Sequence, residues 1–176
     1  MSLDQYKIMH EQGHFPGHST AKNSAQIKEL IDKHGAVTLL DFGCGKGDQY
    51  AHQKLHETWG VPKPVLYDPA VPGIDKLPNA LRPFDAVICC DVLEHLEGRD
   101  LSKAVFEAVI RAKKFAFFSI STRPAKKTLP DGRNAHLTIQ SPDWWRGFAA
   151  ANSWATTAEI VLAFEEDDKW THSPTG

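Results

Sequence analysis

The chain has 176 residues, 41% hydrophobic and 24% charged, with 20 basic against 22 acidic side chains and a formal net charge of −2. That length suits one domain able to bury roughly two-thirds of its unfolded surface. The near-neutral balance excludes wholesale electrostatic binding to nucleic acid or to a membrane surface, and no apolar run approaches the ~20 residues of a membrane-spanning helix.

No internal repeat or low-complexity block interrupts the chain. Residues 1–19 are polar, carry His10, His14 and His18, and hold the breaker Pro16-Gly17. Ile27, Leu30, Ile31 and His34 fall at i, i+3, i+4 and i+7, which predicts one helix over 20–34 stopped by Gly35. Val37–Phe42 reads as a buried strand and leads into the loop Gly43-Cys44-Gly45-Lys46-Gly47. Asp48 is expected to cap one helix to about Trp59. Val65–Tyr67 is a second strand ending at Asp68, and Asp85–Cys90 a third. Asp100 is expected to cap a helix to about Lys113, with Leu101, Ala104, Val105, Ala108 and Val109 on one face, ahead of the strand Phe115–Ile120.

Residues 121–140 form a long polar connection, a length usually reserved for function or disorder. Ser141-Pro142-Asp143 is a helix start with an N-cap serine, proline in the first turn and an acid beside it, and the helix runs to about Asn152. Residues 154–158 and 160–165 read as a closing hairpin, followed by a fraying tail over 166–176. Alternating strands and helices predict one domain over 1–176 with an open, mostly parallel α/β sheet and an antiparallel C-terminal hairpin edge. Ligands of such sheets bind beyond the C-terminal strand ends. The cysteines Cys44, Cys89 and Cys90 are odd in number and two are adjacent. That arrangement fits no disulfide framework and points to a reducing, cytoplasmic setting. The N-terminus has no basic stretch followed by an apolar one, so no signal peptide is expected.

The glycine loop carries the chemistry. Its alternate glycines permit a sharp turn and close approach of a ligand to the backbone. It lacks the Gly-Lys-Ser/Thr ending of a phosphate-binding P-loop, and its third glycine comes one residue early for a dinucleotide fingerprint. Asp41, two residues before the first glycine, suits an ammonium group and repels a pyrophosphate. A ligand carrying an amino acid fits better than one carrying two phosphates.

Asp41-x-Gly43-x-Gly45-x-Gly47 after a strand resembles the first motif of class I S-adenosylmethionine-dependent methyltransferases. Asp68 at the end of the next strand matches the acid that holds both ribose hydroxyls in that family, and Phe84 to His95 resembles its fourth strand and following loop. The resemblance spans about residues 37–120. It implies a Rossmann-like doubly wound sheet, with the methyl donor held by Asp41, Gly43, Cys44, Gly45, Asp68, Pro69, Asp91 and Val92. It also implies a lid made by residues 1–19. Only Pro69 to Pro78 separates Asp68 from the approach to the next strand, where the family usually has a helix and a strand. Pro69, Ala70 and Val71 are then expected against the adenine, with Asp75 near its amino group.

On the acceptor side, His95 is the candidate general base, with His136 beside it from the long loop. No metal is assigned, although Asp91, Glu94 and His95, completed by His136, offer a donor set for Mg²⁺, Mn²⁺ or Zn²⁺. A similar Glu-x-x-Glu-His binds metal in ubiquinone-biosynthesis O-methyltransferases and in small-RNA 2′-O-methyltransferases. The expected acceptor is the O or N of a small molecule. The basic side chains Arg123, Lys126, Lys127 and Arg133 near Trp144 and Trp145 are compatible with an anionic one. RNA as acceptor and a non-catalytic nucleoside-binding module remain alternatives, and no membrane partner is expected.

Overall fold

The computed structural model describes residues 3–15, 17–166 and 169–174, with side-chain surroundings for 4–15 and 17–165. Pro16 of the expected breaker and residues 167, 168, 175 and 176 of the expected tail lie outside these. Five strands form the centre: β1 (Leu39–Phe42), β2 (Val65–Tyr67), β3 (Phe84–Cys90), β4 (Ala112–Ser121) and β5 (Glu159–Glu166). They are all parallel, in the order β2-β1-β3-β4-β5. This is a Rossmann-like, doubly wound α/β fold. β1 and β3 are neighbours, and the chain leaves them in opposite directions, so the switch point lies between them.

Strands β1, β3 and β4 are mostly apolar and largely buried because both faces are covered. On one face Leu40, Val87, Phe118 and Leu162 pack under helices α6 (Gly98–Val109) and α7 (Pro142–Asn152), which supply Leu101, Val105, Ala108, Trp145 and Ala149. On the other, Leu39, Ile88, Phe115 and Phe117 meet Ile27, Ile31 and Trp59. Those three come from α3 (Ser24–His34) and α5 (Leu55–Trp59). Among the described residues, no helix is long and apolar enough to cross a membrane.

Several local expectations need correction. The helix expected over 20–34 is two, α2 (Ser19–Lys22) and α3, parted at Asn23. Asparagine competes with the backbone for hydrogen bonds and breaks helices readily. The break lets Thr20 reach Asp41 while Ile27 and Ile31 stay on the sheet. Gly35 ends α3 in the left-handed region as expected. The helix expected over 48–59 is also two: α4 (Asp48–Ala51) and α5, with Lys54 left-handed at φ 52° between them. That turn lets both Tyr50 and Trp59 be buried, and Trp59 Nε1 donates to Ser24 Oγ at 2.9 Å. The N-cap positions of α4 and α6 belong to Gly47 and Glu97, and Asp48 and Asp100 fall in the first turns. α6 stops at Val109 because β4 already begins at Ala112.

The hairpin over 154–158 and 160–165 does not form. Residues Ser153–Ala155 make a 3-10 turn, and β5 runs parallel to β4, with Phe117 opposite Val161 and Phe118 opposite Leu162. Helix α7 is the reason: a helical crossover returns the chain in the original direction. The antiparallel neighbour of β5 is β6 (Lys169–Pro174), from residues read as tail. Between β2 and β3 there is neither helix nor strand. At the N-terminus, the polar stretch 1–19 contains the helix α1 (Leu3–Glu11).

Ser141 caps α7 as its sequence foretells, accepting from the Trp144 amide at 3.3 Å ahead of Pro142. Replacing Ser141 by Ala should lower stability by about 1 kcal/mol, read from denaturant unfolding monitored by circular dichroism.

Candidate active site

The loop after β1 turns back onto the end of β2. The amides of Gly43 and Cys44 donate to the Tyr67 carbonyl at 2.7 and 3.2 Å, and that of Gly45 donates to Asp68 Oδ2 at 2.9 Å. Asp68 Oδ1 accepts from the Ala70 amide at 2.9 Å. One carboxylate thus ties the glycine loop to the segment after β2. Its remaining lone pairs face His10, whose Nε2 lies 3.8 Å from Oδ1. Burial raises the Asp68 carboxyl and lowers the His10 imidazole from their ordinary values.

Beside this tie is a cavity of about 380 Å³ whose lining includes His10, Lys46, Pro69, Ala70, Val71 and Asp75. Its volume lies in the range of small-molecule sites. Three of the residues expected against a base, and Asp75, therefore do line one space.

Asp41 takes a different place. It is buried behind the loop, and its Oδ2 accepts from Tyr50 Oη at 2.6 Å, Gln49 Nε2 at 2.8 Å and Thr20 Oγ1 at 3.3 Å. Burial pushes its carboxyl up to about 6, against these three donors. Cys44 is buried, and desolvation pushes its thiol far above the ordinary value, so it is no nucleophile. Gln49, Tyr50 and Thr20 were missed in the sequence; only their nearness to the loop could have marked them.

The N-terminal segment lies directly on the glycine loop. Gly45 has φ +59°, and a Cβ there would come within 2.8 Å of the Phe15 carbonyl oxygen. Gly17 has φ +86°, and its Cβ would stand 2.7 Å from the Gly47 amide nitrogen. Only glycine at both positions allows this approach of backbone to backbone. The Gly17 carbonyl accepts from the Gln49 amide at 3.0 Å, and Lys127 Nζ donates to the His14 carbonyl at 2.8 Å.

Beyond β3 the chain turns sharply. Asp91 sits in the left-handed region at φ 61°, unusual for a residue with a side chain and frequent at functional sites. Val92 packs under Gly43, where an added Cβ would meet its Cγ2 at 2.5 Å. His95 and His136 come together with ring centroids 4.8 Å apart and planes at 78°. One ligand atom each from Asp91, His95 and His136 lie within 4.8 Å of one another. Glu94 does not join them. It is fully buried, and its Oε1 accepts from the Ser121 amide at 2.7 Å. Of the four candidate donors Asp91, Glu94, His95 and His136, the structure groups Asp91, His95 and His136. Glu94 sits behind the cluster, bonded to the amide at the end of β4 on one side and to the Asp91 carboxylate on the other.

Burial pushes the His95 imidazole down to about 4, so it is neutral near pH 7 and a weak base. Burial opposes ionisation of Asp91, yet its neighbours His95, Glu94 and Ser19 hold its carboxyl below the usual value. Tyr6, from α1, sets its ring edge-on to His95 at 5.6 Å.

The basic loop is largely engaged within the protein. Arg123 pairs with Glu165, Arg133 pairs with Asp131 and Glu97, and Lys127 stands over the Phe15 ring. Trp145 is a core residue, while Trp144 keeps 39% of its surface exposed. The chain matches no family model, no curated protein and no solved structure. What the site does is therefore argued from its own chemistry.

Proposed function

We propose that the chain transfers a methyl group from S-adenosylmethionine to O or N of a small molecule. The observation that carries this reading is the cavity beside Asp68, beyond the C-terminal ends of β1 and β2. One wall is the Pro69–Val71 segment and Asp75, and the glycine loop is tied to the same carboxylate. A nucleoside would lay its base on that wall and its ribose hydroxyls on the free lone pairs of Asp68 once His10 moves aside. The sulfonium methyl would then point toward the end of β3, where Asp91, His95 and His136 converge. In the reaction the acceptor lone pair attacks the methyl carbon, the C–S bond breaks with its electrons left on sulfur, and the acceptor proton is lost to solvent. Alignment of acceptor, methyl and sulfur is the protein's main contribution. Three buried, free cysteines suit a reducing, cytoplasmic setting.

Calorimetric titration with S-adenosylhomocysteine tests the donor. One site per chain is expected, with no heat from NADH. Binding of NADH in its place would overturn the reading. Methyl-labelled donor incubated with a cell extract then identifies the acceptor, label being expected in the small-molecule fraction rather than in RNA.

A further inference from the structure

We infer that Asp91, His95 and His136 form a binding site for one divalent transition-metal ion of the Zn²⁺ type. Two imidazoles and one carboxylate, with coordination positions left for water, are a donor set such ions favour. The decisive detail is the ring nitrogens. His95 Nδ1 stands 2.8 Å from the Ala135 carbonyl oxygen, and His136 Nδ1 stands 2.6 Å from that of Arg123. A carbonyl only accepts, so each Nδ1 carries the proton and each Nε2 is left with its lone pair. A backbone carbonyl holding the far ring nitrogen is how metal-binding histidines are oriented. Both rings are therefore fixed as ligands before any ion arrives.

An orphaned group next to the cluster is a second, independent sign. The Tyr6 hydroxyl, edge-on to His95, is buried with no hydrogen-bond partner among the described residues. Buried polar atoms are rarely left unpaired, and an ion or its water is one standard explanation. A water on the ion would supply the partner Tyr6 lacks. Asp91 brings the negative charge, and Ser19 Oγ donates to its Oδ2 at 3.0 Å and steadies it. The three ligand atoms span up to 4.8 Å. Metal bonds of about 2.0–2.2 Å place donors roughly 3–4 Å apart, so side-chain rotations on the order of 1 Å close the set. A bound ion of this kind would lower the pKa of a water or hydroxyl attached to it. The site stands on these side chains alone, and holds or fails whether or not a methyl donor binds.

The test uses the full chain stripped with a chelator. Zn²⁺ is titrated calorimetrically, and Co²⁺ is followed by its visible absorption, which reports ligand number and geometry. One Zn²⁺ per chain is expected, with binding weakened at least about 50-fold in His136→Ala and in Asp91→Asn. Exposed, remote His52→Ala should bind as the parent does. Circular dichroism should show the variants folded; His136 lies in a loop, so its removal leaves the core intact. Equal affinity in parent and His136→Ala, or no stoichiometric binding by the folded parent, would overturn the site. S-adenosylhomocysteine affinity, measured on the same samples, reports separately on the proposed function.

Discussion

Asp68→Ala should lower affinity for S-adenosylhomocysteine by at least about 100-fold. Two hydroxyls on an ionised acceptor contribute about 1.5–3 kcal/mol each, and every 1.4 kcal/mol is roughly tenfold. The same carboxylate also accepts from the amides of Gly45 and Ala70, so its loss could act merely by loosening the loop. A cycle separates the two effects. The parent should discriminate between the ligand and its 2′-deoxy analogue. Asp68→Asn, which keeps a carbonyl acceptor for the loop, should discriminate much less. Equal discrimination by a folded Asp68→Asn would sink the ribose assignment and leave Asp68 a structural tie.

Asp41→Asn should change how stability depends on acidity. In the folded chain burial raises the Asp41 carboxyl to about 6, whereas an unfolded aspartate titrates near 3.9. Between these values the folded state holds the extra proton. Stability therefore falls as pH rises from about 4 to 6 and recovers as it drops again. The gap amounts to roughly 3 kcal/mol at about 1.4 kcal/mol per unit. The asparagine variant has no such titration. Its stability relative to the parent should rise by that order between pH 4 and 6.5, seen as diverging midpoints in denaturant. Curves that stay parallel would mean Asp41 titrates alike in both states. At pH 7 the charge is sustained by Tyr50, Gln49 and Thr20, and these three bonds make it a fixed anion behind the loop.

The sheet was legible because its central strands are buried on both faces, and short, mostly apolar runs such as Val37–Phe42, Asp85–Cys90 and Phe115–Ile120 have few other readings. Ser141-Pro142 announced α7 through purely local chemistry. The breaks at Asn23 and Lys54 were not legible, because tertiary contacts decide them: Thr20 on Asp41, and Trp59 on Ser24. The hairpin failed for a related reason. Strand content could be read from residues 160–165, but direction is set by the crossover before them. At the site, the glycines, Asp68 and Asp91 showed through type and spacing. The seat of Glu94 behind the cluster did not, since it depends on an amide 27 residues distant in the chain. Nor did the seat of His10 on Asp68, which joins α1 to the end of β2.

On the proposed function, that seat would govern timing. The stretch bearing His10 and Gly17 is held over the loop by a few exchangeable contacts, among them the Gly17 carbonyl on Gln49 and the His14 carbonyl on Lys127. If a nucleoside binds at Asp68 as proposed, it must wait until His10 lifts. Capture then has two steps, an opening whose rate belongs to the protein alone and a collision whose rate grows with concentration. At high ligand concentration the first step sets the pace, and the observed rate levels off. The closed fraction weakens apparent affinity in proportion, and reclosure over a bound ligand lengthens its residence.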